Sequence, residues 1–201
     1  MTKLFLLPAL LFFFSCDAQT KKVSGDVRAV NCEGCEAIYE NDVPFAELSP
    51  ELTLSDWNNG EGKQLEVSGV VYEADGKTPA ADVILYIYHT DHTGVYPVRG
   101  DEKGWARRHG YLRGWMKTNK RGEYKFLTRR PASYPNSSNP AHIHLIVKKQ
   151  GAAEFYADDY VFRDDPYMKR ALNANPQAEG ILEPVESGGI LRAKRDVVLP
   201  N

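Results

Sequence analysis

Two histidines define the chemistry open to this sequence. The run Pro140-Ala141-His142-Ile143-His144 sets them two residues apart, at the head of the apolar stretch Leu145-Ile146-Val147. On a β-strand, residues two apart leave by the same face, so both imidazoles stand side by side and can offer two nitrogens to one metal. A single strand histidine is ordinarily a satisfied structural residue, whereas a pair at this spacing is a ligand candidate. Tyr96, after Gly94-Val95, and Tyr134, between Pro131 and Pro135, lie in loops beside expected strand ends. Rigid scaffolds tend to carry function in such loops. Each tyrosine taken alone reads as packing. A phenolate is nevertheless a hard, anionic oxygen donor suited to a ferric ion, whose charge would hold the phenol deprotonated well below its ordinary range.

Such residues need strands to position them. Leu65, Val67, Gly69 and Val71 alternate with Glu66, Ser68 and Val70, the period of a half-buried strand. Val83 to Tyr88 is a continuous apolar and aromatic run that predicts a more fully buried strand, after the turn Asp75-Gly76. Asn119-Lys120-Arg121-Gly122 predicts a turn into the alternating Glu123 to Leu127. His142 to Val147, Phe155 to Phe162 and Ile190 to Leu199 predict further strands. Helical periodicity is confined to Pro166 to Asn173, and Pro176 to Gly189 reads as a long surface loop. Short strands separated by Gly, Pro and Asn turns predict an all-β antiparallel sandwich. The expected division is an export signal over 1–15, an extended N-terminal segment over 16–64 and a catalytic-type domain over 65–200.

At this point the pattern resembles a known family. Gly69-Val70-Val71, Asp75-Gly76, Pro79-Ala80-Ala81-Asp82-Val83 and Gly94-Val95-Tyr96 are similar to the start of the intradiol ring-cleavage dioxygenase catalytic domain. Lys117-Thr118-Asn119, Gly122 to Phe126, Thr128, Pro131, Tyr134-Pro135 and Pro140 to His144 continue the likeness. So do Val161-Phe162, Asp165-Pro166 and Asp196 to Leu199. The resemblance implies one non-haem Fe(III), with Tyr96 and His142 as equatorial ligands and Tyr134 and His144 as axial ones. It implies a small aromatic diol bound as a dianion, displacing Tyr134, and cleavage by O2 between the two hydroxylated carbons. The metal then serves as Lewis acid and template, and displaced ligands accept substrate protons.

One departure bears on the chemistry. The family usually carries an arginine three residues before the first histidine, and here that residue is Asn139. Loss of a charge-stabilising group can cost orders of magnitude in rate. Replacement cations are Arg107, Arg108 and Arg113, in a basic run from Arg107 to Trp115 that reads equally as a solvated loop. His89 and His92 flank the Tyr96 loop and read as turn or rim residues. Two other function classes compete: a non-catalytic exported binding module for catechols, carbohydrate or protein, and zinc-dependent hydrolysis. The first has no use for all four candidate ligands together, and the second lacks a carboxylate or third histidine in the motif.

The N-terminus bears on location. Lys3 followed by the apolar run Leu4 to Phe14 is too short to span a bilayer and suits an export signal. Cys16, followed at once by polar residues, predicts a lipoprotein cleaved before the cysteine and membrane-anchored only through its lipid. In an exported chain Cys32-Glu33-Gly34-Cys35 predicts a local disulfide rather than half of a zinc site. Formal charge is −2 across 25 basic and 27 acidic residues, mixed along the chain. No basic stripe points to nucleic acid.

Overall fold

Alternating buried and half-buried side chains run through several segments, and each such segment forms a strand with one face inward. The computed structural model describes residues 34–174, 176 and 179–201. Its strands are β1 (Glu51–Thr53), β2 (Gln64–Tyr72), β3 (Ile84–His89), β4 (Arg113–Lys117), β5 (Glu123–Arg129) and β6 (His142–Lys148). They continue with β7 (Phe155–Phe162), β8 (Ile181–Leu182), β9 (Val185–Ser187), β10 (Ile190–Lys194) and β11 (Val197–Val198). Two short helices, α1 (Ala106–His109) and α2 (Met168–Ala174), and 3-10 turns at Cys35–Tyr39 and Phe45–Glu47 complete the described elements.

The strands form two sheets, one in the order β1-β5-β2-β10-β9 with β11 also on β2, the other β4-β3-β6-β7-β8. Between them Val67, Phe126 and Leu191 of the first sheet pack with Leu85, Met116, Leu145 and Phe162 of the second. The layered β fold expected from the sequence is therefore observed, but the sheets are mixed. β1 runs parallel to β5, β10 and β11 parallel to β2, and β8 parallel to β7. These are short strands, where a returning segment can lie in either direction, and period-two patterning does not encode direction.

β3 is buried along its whole length because both its faces are covered. Leu85 and Ile87 face the inter-sheet core, while Ile84, Tyr86 and Tyr88 pack outward against Cys35, Ala37 and Ile38. Residues 34–64, expected as an irregular lead-in, thus supply a layer over the second sheet as well as β1. Trp115 Nε1 donates to Ile38 O at 2.9 Å. Glu40 accepts from Trp105 N at 2.9 Å and from Arg113 Nη1 at 3.0 Å, tying the 99–112 segment to the sheet. Cys35 is disulfide-bonded. Its expected partner Cys32, the export signal and Cys16 lie outside the described residues.

Candidate metal centre

The site lies on the outer face of the second sheet and begins with β6. Ile143, Leu145 and Val147 point into the core, so His142 and His144 share the opposite face. His144 stands directly opposite Tyr88 of β3. On its other side the register with β7 shifts: Ile143 pairs with Tyr160 but Leu145 with Ala157, so Asp158 and Asp159 together face His144. This is a β-bulge, a device that re-aims side chains beside functional sites.

Two loops bring the tyrosines over that face. Thr90 Oγ1 donates to Ala132 O at 2.8 Å and Ala132 N donates to Asp91 O at 2.9 Å, lashing the loops together. Gly94 has φ +83°, and a Cβ there would meet Ser133 O at 1.9 Å. Only glycine tolerates that conformation and that approach, and the contact seats Tyr96 beside Tyr134.

Four donor atoms consequently converge. Tyr96 Oη lies 2.7 Å from Tyr134 Oη and 2.7 Å from His144 Nε2. Tyr134 Oη lies 3.1 Å from His142 Nε2 and 3.4 Å from His144 Nε2. Both Nδ1 atoms are engaged elsewhere: His142 Nδ1–H donates to the Pro140 carbonyl at 2.7 Å, and His144 Nδ1–H to the Asp159 carboxylate at 3.0 Å. Since those partners only accept, each neutral ring presents an unprotonated Nε2 to the common point. Two nitrogen lone pairs and two phenol oxygens aimed at one position form a set suited to a hard, highly charged cation.

The electrostatics agree. Burial foremost, reinforced by the neighbouring phenols and Asp159, pushes Tyr96 well above the ordinary phenol range, and burial raises Tyr134. Without a cation both phenols therefore stay neutral; a bound cation's charge reverses the preference. Burial, followed by the nearby His144, lowers His142 and keeps it in the neutral form that a ligand requires.

His142, His144 and Asp159 offer ligand atoms within 4.8 Å of one another. A carboxylate, absent from the His-X-His motif, is thus supplied in space by β7. It faces the Nδ1 edge of His144 rather than the converging Nε2 atoms, so it stands behind that ring. Tyr88 stacks on His144 at 4.3 Å and on His109 at 3.7 Å between centroids, and its hydroxyl meets Tyr156 Oη at 2.6 Å. Sequence patterning missed Asp159, Tyr88, His109 and Tyr156. The available signal was Asp158-Asp159 in the middle of a strand, where aspartate is disfavoured.

The expected cations are placed differently from one another. Arg113 pairs with Glu40 and lies over Trp115 at 5.1 Å. Arg107 Nε donates to Glu102 O at 3.0 Å, at a surface recess also lined by Val98 and Lys103. Arg108 covers Trp105 at 5.3 Å, and Trp105 stacks on His109, whose ring lies against Tyr88. Its charge favours ionised Tyr88 and disfavours protonated His109. Asn139 is exposed in the turn before β6. His89 is no rim residue: it is fully buried, donates from Nδ1 to Thr90 O at 2.7 Å and meets Thr128 Oγ1 at 2.8 Å. It ends β3 facing the first sheet, where β-sheet alternation turns it away from Tyr88. His92 pairs with Glu61 at the surface.

With this geometry in hand, comparison with known proteins is informative. A family model described as dioxygenase (Dioxygenase_C) matches residues 38–189. The chain is 30% identical over 169 residues to the protocatechuate 3,4-dioxygenase beta chain of Burkholderia cepacia, covering 76% of this chain and 72% of that one. Its fold is similar to the dioxygenase domain of a dioxygenase carbohydrate-binding protein fusion from Streptomyces sp. SirexAA-E. That match has TM-score 0.59 and 21% identity, over 80% of this chain and 95% of that one. It is also similar to catechol 1,2-dioxygenase from Acinetobacter sp. ADP1, with TM-score 0.61 and 21% identity, over 76% of this chain and 57% of that longer one.

Proposed function

The chain belongs to the intradiol ring-cleavage dioxygenase family of oxidoreductases, and from that premise we propose that it holds one ferric ion and cleaves a catecholic ring with O2. The observation that carries this reading is the convergence of Tyr96 Oη, Tyr134 Oη, His142 Nε2 and His144 Nε2, with both Nδ1 atoms already engaged. These four side chains would hold the ferric ion, which would supply Lewis acidity toward a catecholic substrate. The other steps belong to the chain's own residues. His142 and His144, on a rigid strand with fixed tautomers, keep the centre's position. Tyr134, the tyrosine that the family resemblance marks for displacement by substrate, lies on the strand-free segment between β5 and β6, and its phenolate would take a substrate hydroxyl proton at Oη. Both oxygen atoms enter the ring-opened dicarboxylic acid, so no external reductant is consumed.

Of the three arginines, Arg108 is the one whose charge bears on Tyr88, the ring stacked on His144, and we assign it the place of the arginine missing at Asn139. The exported, Cys16-lipidated form expected from the N-terminus is part of this proposal, and the disulfide at Cys35 supports an oxidising compartment. Detergent-phase partitioning that is lost in Cys16→Ser tests it.

Anaerobic titration of the iron-loaded protein with a panel of catechols tests the site. The expected result is a saturable change in the visible spectrum, then oxygen uptake when air is admitted. A spectral change without oxygen uptake would make the chain a catechol-binding member of the family. No response to any catechol would refute the proposal.

A further inference from the structure

Asp159 stands opposite His144 at an irregularity in β7, and the irregularity is built in. The bulge leaves Asp158 O outside the regular ladder, and the largely buried Arg195 caps it, donating from Nη1 at 2.6 Å. The Arg195 guanidinium lies over the Tyr160 ring at 4.5 Å, held against the same strand. Across from the bulge is Gly180, where a Cβ would sit 1.7 Å from Asp159 O. A cation on one carbonyl and a glycine against the next thus hold the two aspartates where a regular strand would present one residue. The outcome is a 3.0 Å contact between Asp159 Oδ1 and His144 Nδ1.

We propose that Asp159 is a positioning residue for the metal centre: its carboxylate holds His144 as the Nδ1–H tautomer, fixes the ring's direction and strengthens Nε2 as a donor. This rests on the metal-centre reading given above. The physical basis is general. An imidazole that donates Nδ1–H to a carboxylate has its orientation and tautomer set, and its other nitrogen becomes more basic. His142 has a neutral partner instead, the Pro140 carbonyl. The two histidines are therefore inequivalent, with His144 the stronger donor. A stronger donor makes a bound ferric ion a weaker acceptor, which raises the energy of phenolate-to-iron charge transfer.

The test compares wild type, Asp159→Asn and Asp159→Ala by iron affinity in chelator competition, by the position of the visible band, and by nitrogen NMR of the metal-free imidazoles. Asp159 is one-third exposed, so truncation leaves the core intact, and Asp159→Asn keeps an acceptor if the alanine variant folds poorly. Asp159→Ala should bind iron about 10- to 100-fold more weakly and lose the single Nδ1–H tautomer at His144. Asp159→Asn should retain most of the affinity with its band at longer wavelength. Variants that match wild type in affinity, band and tautomer would overturn the role of Asp159 alone. Wild-type protein that takes up no iron would overturn the metal centre itself, and this proposal with it.

Discussion

Tyr88 of β3 and His144 of β6 are paired across the sheet, and their rings stack 4.3 Å apart at 25°. The register of two adjacent strands therefore fixes a ligand candidate from the side, while Asp159 fixes it from behind. Tyr88 is itself clamped, with His109 on its other face at 3.7 Å and Tyr156 on its hydroxyl. Burial raises the Tyr88 phenol to about 12, so it remains neutral and serves as a wall rather than a ligand.

Removing that wall should be costly. Tyr88→Ala should destabilise the metal-free protein by about 3 kcal/mol, the range for deleting a buried aromatic ring, and loosen His144 enough to weaken iron retention. Tyr88→Phe keeps the stack and loses only the bond to the half-exposed Tyr156, a change of about 1 kcal/mol or less. Urea unfolding of both variants checks the ranking, and equal destabilisation would contradict it.

Stability should also depend on pH through His89. Burial lowers His89 to about 4 from an ordinary 6.5, so between those values the unfolded chain binds a proton that the folded chain does not. The stabilisation is then fully present above about pH 6.5 and is lost as pH falls toward 4, a change of roughly 3 kcal/mol for such a shift. His109, lowered to about 4 mainly by burial, acts with the same sign. Unfolding free energies of metal-free protein at pH 7.5 and 4.5 should show this loss, and His89→Gln should reduce the slope. An unchanged slope in the variant would assign the pH dependence elsewhere.

The three arginines should separate by role. Arg108→Ala should lower turnover at least tenfold with iron content and colour intact, because its charge reaches the stack below the site. Arg113→Ala should chiefly destabilise the fold, since it leaves the half-buried Glu40 carboxylate without its cation and with only the Trp105 N–H as partner among the described residues. Arg107→Ala should leave both properties near wild type, as its guanidinium bonds a backbone carbonyl at the surface. Kinetics on the best catechol, beside thermal unfolding, check all three. Full activity in Arg108→Ala would leave the change at Asn139 without a compensating cation.

Legibility in the sequence followed the strength of local patterning. β2 and β5 were readable because their apolar residues alternate, β3 and β6 because each carries an unbroken apolar run, and β7 because aromatic residues flank its two aspartates. β4 was hidden: Arg113-Gly114-Trp115-Met116-Lys117 continues a basic run, and its alternation is blurred by Gly114. Leu52 packs over that glycine, its Cδ2 2.8 Å from where a Cβ would sit. β1, β8 and β9 are two or three residues long, too short for a period to declare itself, and their presence corrects the irregular lead-in and the single loop expected at 176–189. In the site, His142 and His144 were legible from spacing and Tyr96 and Tyr134 from the family pattern. Asp159 and Tyr88 reach His144 through a bulge and a cross-strand register, which no local window records.

The most direct measurement of the account is product analysis after turnover of the iron-loaded protein with its best catechol under 18O2. The predicted result is a ring-opened dicarboxylic acid, split between the two hydroxylated carbons, with one labelled oxygen in each new carboxyl group. It should be abolished in Tyr96→Phe and His142→Ala, with the visible band weakened in Tyr96→Phe by loss of one of the two phenolates. Iron-loaded protein that forms no labelled ring-opened product from any catechol, or one that keeps forming it without these side chains, would contradict the account.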